Sequence, residues 1–74
     1  MNSTRNDKVL KKFGKHLNAI RKKYNLSLRK LADIADVDFS QIHRIEKGES
    51  NPTLTMLLAL AEALNVSLTE LLDF

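Results

Sequence analysis

Apolar residues recur at steps of three and four along most of the chain, which is the spacing of one face of an α-helix. The first run leaves its lysines outside the apolar stripe. The runs lie at residues 9–24, 28–35, 42–45, 54–64 and 68–72. No segment of useful length alternates between apolar and polar residues as a strand would. The pattern therefore predicts an all-α fold of five helices without a sheet.

The breaks between these runs contain residues that begin and end helices. Residues that tolerate a positive φ follow the first four runs, namely Asn25, Asp36, Gly48 and Asn65. Side chains that cap a helix N-terminus precede the later runs, namely Ser27, Asp38, Thr53 or Thr55, and Ser67 with Glu70 as a capping box. In the stretch LRKLADIADVDFSQIHRIEK, residues 28–47, the breaks leave two short helices joined by a tight turn.

Two short helices around a tight turn are typical of a helix-turn-helix. In that motif the second helix projects into the major groove of DNA, about 12 Å wide, while the first lies across it as a support. An ordinary corner between two helices would show the same periodicity. The spacing of apolar residues alone leaves both interpretations open.

The two parts of the chain carry opposite charge. Residues 1–30 contain ten Lys and Arg residues and one acid, whereas residues 31–74 contain two basic and eight acidic residues, for a net charge of +3. This distribution indicates one surface that attracts a polyanion and another that repels it, as in a nucleic-acid-binding protein. A solvated basic helix face is the simpler alternative.

Length and composition limit the other classes of function. A chain of 74 residues without cysteine predicts one small domain that has neither disulfides nor a thiolate metal site. The longest apolar run, residues 56–61, is too short to span a membrane, and residues 1–8 do not resemble a signal peptide. We therefore expect a cytoplasmic domain that does not contact a membrane.

The residue types that support catalysis or metal binding are few. His16 and His43 lie in different predicted helices, without the spacing of a zinc site. Ser27 and Ser40 could be combined with His43 as a hydrolase site, but no glycine-rich loop or nucleophile elbow accompanies them. The sequence therefore favours a protein that is not an enzyme and has no metal, cofactor or small-molecule ligand.

Three segments in order resemble a known family. FGKHLNAIRKKYNLS, LRKLADIADVDFSQIHRIEKGE and NPTLTMLLALAEALNVSLTELL are similar to the phage-repressor helix-turn-helix family, the Cro and lambda-repressor-like DNA-binding domains of the xenobiotic-response-element type. The middle segment contains the I-x-R-I-E-x-G ending of that family. The resemblance covers about residues 13–72 and implies a single domain over residues 1–74, with the helix-turn-helix at about 28–47.

The resemblance also implies which residues contact DNA. Phe39, Ser40 and Arg44 would face the major groove, where Arg44 can donate two hydrogen bonds to guanine and Phe39 can contact a thymine methyl group. Packing of Phe39 against Ile34 or the following loop is the alternative. Contacts to phosphates or to the groove wall would come from Ser27, Arg29, Gln41, His43, Lys47, Ser50 and Asn51.

Some positions depart from the family pattern, and one pair follows it. Leu28 stands where the family usually has a phosphate-binding Gln, Asp36 replaces the turn glycine, and His43 replaces a common Ser. Arg21 and Glu46 stand where the family has a partly buried salt bridge that fixes the angle of the recognition helix. Two separate surface charges would be the alternative interpretation of this pair.

These observations together predict a sequence-specific regulator of transcription that binds double-stranded DNA, at a palindromic operator and as a homodimer. The chain ends about where the family's fold ends, so we expect this domain itself to dimerise. Met56, Leu58 and Phe74 are the predicted interface, unless they pack under the N-terminal segment. The alternative function is a protein-interaction module, an antitoxin or co-regulator for which DNA binding is secondary.

Overall fold

The computed structural model describes residues 5–74, and residues 1–4, part of the segment in which no signal peptide is predicted, lie outside it. The helices are α1 (Asp7–Lys23), α2 (Leu28–Ala35), α3 (Phe39–Glu46), α4 (Leu54–Leu64) and α5 (Leu68–Leu71). Residues 5–74 contain no strand. The all-α fold of five helices is confirmed. No helix in this part of the chain is long and apolar enough to cross a membrane.

The predicted helix boundaries are produced by local hydrogen bonds and by positive φ angles. Asn25, Asp36 and Asn65 have φ angles of 57°, 57° and 58°, and Gly48 has 74°. The α4 cap is Thr53 rather than Thr55, because the Thr53 hydroxyl accepts a hydrogen bond from the backbone N–H of Met56 at 3.1 Å. The remaining N-terminal caps are Ser27, Asp38 and Ser67, as the sequence predicts, and Asn6 for α1.

The core takes its most buried side chains from all five helices. One fully buried residue comes from each helix, namely Leu17, Leu31, Ile42, Leu60 and Leu71. Burying a side chain of this size contributes about 1.5–3 kcal/mol relative to leaving it in water. Each helix is therefore held by at least one such anchor, and α3 is held by Ile42 with Ile45 beside it.

Four residues that the apolar pattern assigns to the core lie at the surface. Val9 and Tyr24, the first and last residues of the first apolar run, are each 43% exposed. Leu54, the first residue of α4, is 64% exposed, and Leu72, which follows the last residue of α5, is 41% exposed. The helix α4 is apolar around most of its circumference, so the spacing of its leucines did not identify the buried face.

Candidate nucleic-acid interface

The helix α3 presents a row of polar side chains on the side opposite the core. Successive residues of an α-helix are rotated by about 100°, and Ile42 and Ile45 are buried on one side. The opposite side carries the row of α3, defined as Ser40, His43, Arg44 and Lys47, in which only Ser40 is partly buried. Phe39 and Gln41 flank this row on its two edges, by the same rotation. An exposed polar row on a helix anchored from behind can enter a groove of DNA.

One edge of the row adjoins the loop that follows α3. Gln41 and Arg44 line a shallow groove with Ser50 and Asn51, and Met56 of α4 forms part of its wall. The structure therefore brings together four of the predicted DNA contacts, two from α3 and two from the loop that follows it. Amide, hydroxyl and guanidinium groups therefore line one groove at this position.

The other edge of the row adjoins α2. The guanidinium carbon of Arg29 lies 4.3 Å from the centroid of the Phe39 ring. Phe39 is 37% exposed and lines a surface pocket with Arg29, Ala32, Asp33 and Val37, among other residues. It lies outside the buried core cluster. Its ring therefore contacts the first helix of the motif as well as solvent.

The N-terminus of α2 supplies the next predicted contact. The hydroxyl oxygen of Ser27 accepts a hydrogen bond from the backbone N–H of Lys30 at 3.0 Å, so its own proton remains available to donate. Leu28, which stands where the family usually has Gln, is partly buried and packs against the core. The polar contact that the family's Gln would make is therefore replaced here by apolar packing, and Ser27 and Arg29 are the polar groups beside it.

A buried ion pair joins the end of α3 to α1. Nε of Arg21 lies 2.7 Å from Oε2 of Glu46, and the two side chains are 9% and 6% exposed. Nη2 of Arg21 donates to Oε1 of Glu46 at 2.9 Å, and Nη1 donates to the Leu26 carbonyl at 2.7 Å. The hydrogen bonds that Arg21 donates to Glu46 raise the pKa of the Arg21 guanidinium. Desolvation of the guanidinium lowers this pKa, and the negative charge of Glu46 raises it further. The predicted pair is thus present in the structure.

Three further α1 residues contact the end of α3, and the sequence analysis did not identify them. Nδ2 of Asn18 donates to Oε1 of Glu46 at 2.8 Å. A Cβ on Gly14 would collide with the carbonyl oxygens of Ile45 and Glu46. Lys11 packs against Gly48, just after α3, so closely that a Cβ on Gly48 would lie 2.8 Å from Cα of Lys11. With Arg21 they form the α1 contact row, defined as Lys11, Gly14, Asn18 and Arg21. These positions each lie one residue after an α1 core position, and that spacing is the signal that was overlooked.

Lys47 and His16 make separate contacts in the part of the chain that the structure describes. Lys47 pairs with Glu49 at 3.3 Å on the surface, where such a pair contributes little. Nε2 of His16 lies 3.0 Å from the Glu70 carbonyl oxygen, and thus packs beside α5 rather than beside His43. Within residues 5–74, no group of three or more His, Cys, Asp or Glu side chains is arranged to hold a metal ion.

The three residues predicted for a dimer interface do not share one surface. Met56 is partly buried against the core and faces α3, whereas Leu58, two residues later on α4, is 47% exposed. A separation of two residues turns a helical side chain by about 200°. Phe74 is 49% exposed, and its ring packs edge-on against Phe13 at a centroid distance of 5.6 Å.

A different set of exposed apolar residues comes mostly from α4 and from the C-terminal residues that follow α5. We define the C-terminal apolar surface as Val9, Leu54, Leu58, Leu72 and Phe74, which are between 41% and 64% exposed. Val9, Leu72 and Phe74 border one apolar groove, which Leu57 of α4 also lines. Leu54 and Leu58 are one turn apart on α4, three residues before and one residue after Leu57, so they lie on neighbouring positions of the same helix.

Comparison with known proteins places this arrangement in a family. A family model described as helix-turn-helix matches residues 17–71. The chain belongs to the helix-turn-helix family. The matched residues include all of α2, α3 and α4, so the α3 row and its neighbours lie within the family's shared part. The resemblance to Cro and lambda-repressor-like domains is confirmed.

Relatives within the helix-turn-helix family include regulatory and control proteins. An HTH-type transcriptional regulatory protein of Methanothermobacter thermautotrophicus is 38% identical over 60 residues, which are 81% of this chain and 19% of that protein. The control protein C.SmaI of Serratia marcescens is 44% identical over 48 residues, 65% of this chain and 57% of that protein. The chain thus spans about a fifth of the first relative and just over half of the second.

A solved structure in the same family has nearly the same extent as this chain. The restriction-modification controller protein C.AhdI from Aeromonas hydrophila superposes with a TM-score of 0.82 at 37% identity. The superposition covers 84% of this chain and 94% of C.AhdI. The five-helix fold of this chain is therefore similar to that of a small controller protein over almost the whole of both molecules.

Proposed function

We propose that this protein regulates transcription by binding double-stranded DNA in a sequence-specific manner, without enzymatic activity. The observation that carries this proposal is the exposed α3 row, which is anchored by Ile42 behind it and by Arg21 at its end. Arg29 lies at one edge of the row and Asn51 at the other. In this arrangement α3 enters the major groove, and the flanking groups bind the phosphates on each side.

The relatives support a role as a controller protein. C.AhdI is named as a restriction-modification controller and C.SmaI as a control protein. In this proposal the protein reads a palindromic operator as a homodimer, which doubles the number of base pairs that one short recognition helix can read. The C-terminal apolar surface supplies the contact between protomers in this proposal. Exposed apolar patches of this kind are typical of protein–protein interfaces.

Salt-dependent binding to duplex DNA tests the proposal. A binding site is first selected from random duplexes, and affinity is then measured by fluorescence anisotropy on that site at increasing salt. If Arg29 and Lys47 of each protomer bind phosphates, a dimer neutralises at least four, and log K should fall with log[salt] with a slope of about −3.6 or steeper.

The alternative of a protein-interaction module predicts a different result. Such a module would bind the selected duplex no more tightly than a scrambled duplex of equal length, even at low salt. Specific binding by the wild-type protein, together with a slope that becomes less steep in Lys47→Ala, would support the proposed function. Equal affinity for both duplexes would contradict it.

A further inference from the structure

Arg29 and Phe39 form a contact between the two helices of the helix-turn-helix. Arg29 is the second residue of α2 and Phe39 is the first residue of α3. The Arg29 guanidinium carbon lies 4.3 Å from the Phe39 ring centroid, within the range of a cation–π contact. Both side chains are exposed, so the contact is made at the surface of the motif.

The hydrogen-bonding groups of Arg29 remain available in this arrangement. Guanidinium has five N–H donors around its edge, and a contact through its planar face leaves that edge open. Within residues 5–74, no acceptor takes a hydrogen bond from Arg29, and no carboxylate pairs with it. The side chain therefore presents unused donors beside the first turn of α3.

Arg29 contacts the Phe39 ring although two acidic residues lie nearby. Asp33 is four residues after Arg29 on α2, a spacing that favours an ion pair, and both line the same pocket with Asp38. The guanidinium nevertheless lies over the Phe39 ring. Asp38 is engaged as the α3 cap, because its Oδ1 accepts from the backbone N–H of Ser40 at 3.3 Å. The Phe39 ring is thus the partner that holds Arg29.

We infer that Phe39 is a positioning residue for Arg29. Its ring holds the guanidinium at the edge of the α3 row, where the open N–H groups bind a backbone phosphate next to the first bases that α3 contacts. This inference rests on the proposed DNA binding. It differs from the role that the sequence suggests for Phe39, since the ring then acts through Arg29 rather than by recognising a thymine methyl group.

The benefit of such an arrangement is a smaller loss of conformational freedom on binding. A free surface arginine must order several rotatable bonds when it binds a phosphate, and this ordering opposes binding. An arginine that already rests on a ring has lost part of that freedom before DNA arrives. Removing the ring should therefore weaken the phosphate contact although Arg29 itself is unchanged.

A double-mutant cycle tests the coupling. Phe39→Ala, Arg29→Ala and the double variant are compared with the parent on the selected duplex, with circular dichroism to check folding. We expect the loss of DNA affinity in the double variant to be about two- to fivefold smaller than the product of the losses in the two single variants. This difference corresponds to a coupling free energy of about 0.4–1 kcal/mol. Phe39→Tyr should retain nearly the parent affinity. Lys30→Ala is the matched control. Its loss of DNA affinity should be independent of Phe39, so that the double variant Lys30→Ala with Phe39→Ala loses the product of the two single losses.

Two further measurements separate this inference from its competitors. Replacing each thymine in the site by uracil removes its methyl group. We expect this replacement to change the DNA affinity of the parent and of Phe39→Ala by the same factor. In the DNA-free protein, the Arg29 side-chain protons should show an upfield ring-current shift that disappears in Phe39→Ala. Specific DNA binding with independent losses at the two positions, or a uracil effect that Phe39→Ala abolishes, would overturn the inference alone. A parent that does not bind duplex DNA specifically would overturn the proposed function and this inference together.

Discussion

At the scale of single residues, the roles of the arginines follow from their neighbours. The Arg21 side chain is 9% exposed and its donors are used by Glu46 and Leu26, so it supports the fold. Arg44 lies on the exposed α3 row beside a polar groove, and its guanidinium is therefore directed to solvent. Charge and residue type alone cannot separate these roles, because both arginines belong to predicted helices. The difference became predictable only from the family resemblance and is visible in the burial.

Arg44→Ala should relax the preference at one base pair in each half-site. Arginine can donate two hydrogen bonds to guanine, and their loss costs about 1–3 kcal/mol on the preferred site. Binding of a library of single-base variants to Arg44→Ala and to the parent would measure this. Lys47→Ala is the control, because loss of a phosphate contact should weaken binding equally on all sequences. An equal loss on every sequence for Arg44→Ala would assign it to a phosphate instead.

At the scale of helices, the boundaries were predictable and the packing between helices was not. Helix ends depend on nearby residues, such as Asp36 with its φ of 57° and Thr53 with its hydrogen bond to Met56. Contact between α1 and the end of α3 depends on which surfaces meet, and residues 14 and 46 are far apart in sequence. Gly14 reads in the sequence as a weak point in a long helix. In the structure it permits a close approach of α1 to the backbone of α3.

Gly14→Ala should destabilise the protein although alanine is the better helix former. At an exposed helix position this substitution would stabilise by about 1 kcal/mol. Here the added Cβ meets the backbone carbonyls of Ile45 and Glu46, which cannot rotate away as a flexible side chain could. Overpacking of this kind typically costs about 1–3 kcal/mol. Urea unfolding measures the change.

The reverse substitution at an exposed α1 position provides the matched control for Gly14→Ala. Ala19→Gly should lose about 1 kcal/mol from helix propensity alone. If Gly14→Ala were more stable than the parent by a similar amount, α1 and α3 would not be in close contact. Loss of stability together with weaker DNA binding would link this contact to the position of the recognition helix.

At the scale of the whole molecule, the basic residues and the exposed apolar residues lie mostly in different parts of the chain. Residues 54–74 contain the acids Glu62, Glu70 and Asp73 and no Lys or Arg, and most of the C-terminal apolar surface belongs to this segment. The charge separation was predictable because charges at a surface follow the sequence directly. The set of exposed apolar residues was not, because Met56 and Leu58 differ only in which side of α4 they occupy.

A homodimer formed through the C-terminal apolar surface would satisfy the geometry of a palindrome. Recognition helices must lie about 34–36 Å apart to read half-sites one helical turn apart. One protomer measures 39 × 23 × 19 Å, so two protomers joined side by side can provide that separation. The acidic segment would then lie at the junction and away from DNA, with the α3 rows facing the same duplex.

Leu58→Glu should shift the protein toward monomer and weaken binding to the palindrome. Each dimer would lose two leucine contacts and place two like charges at the junction, so we expect self-association to weaken by about tenfold or more. Sedimentation equilibrium measures the shift. Ile34→Glu is the matched control, because Ile34 is 49% exposed and Leu58 47%, yet Ile34 lies on α2 outside the C-terminal apolar surface. If both variants associate like the parent, the interface lies elsewhere. If the parent is monomeric even on the palindrome, two protomers bind their half-sites independently and the proposed homodimer is wrong.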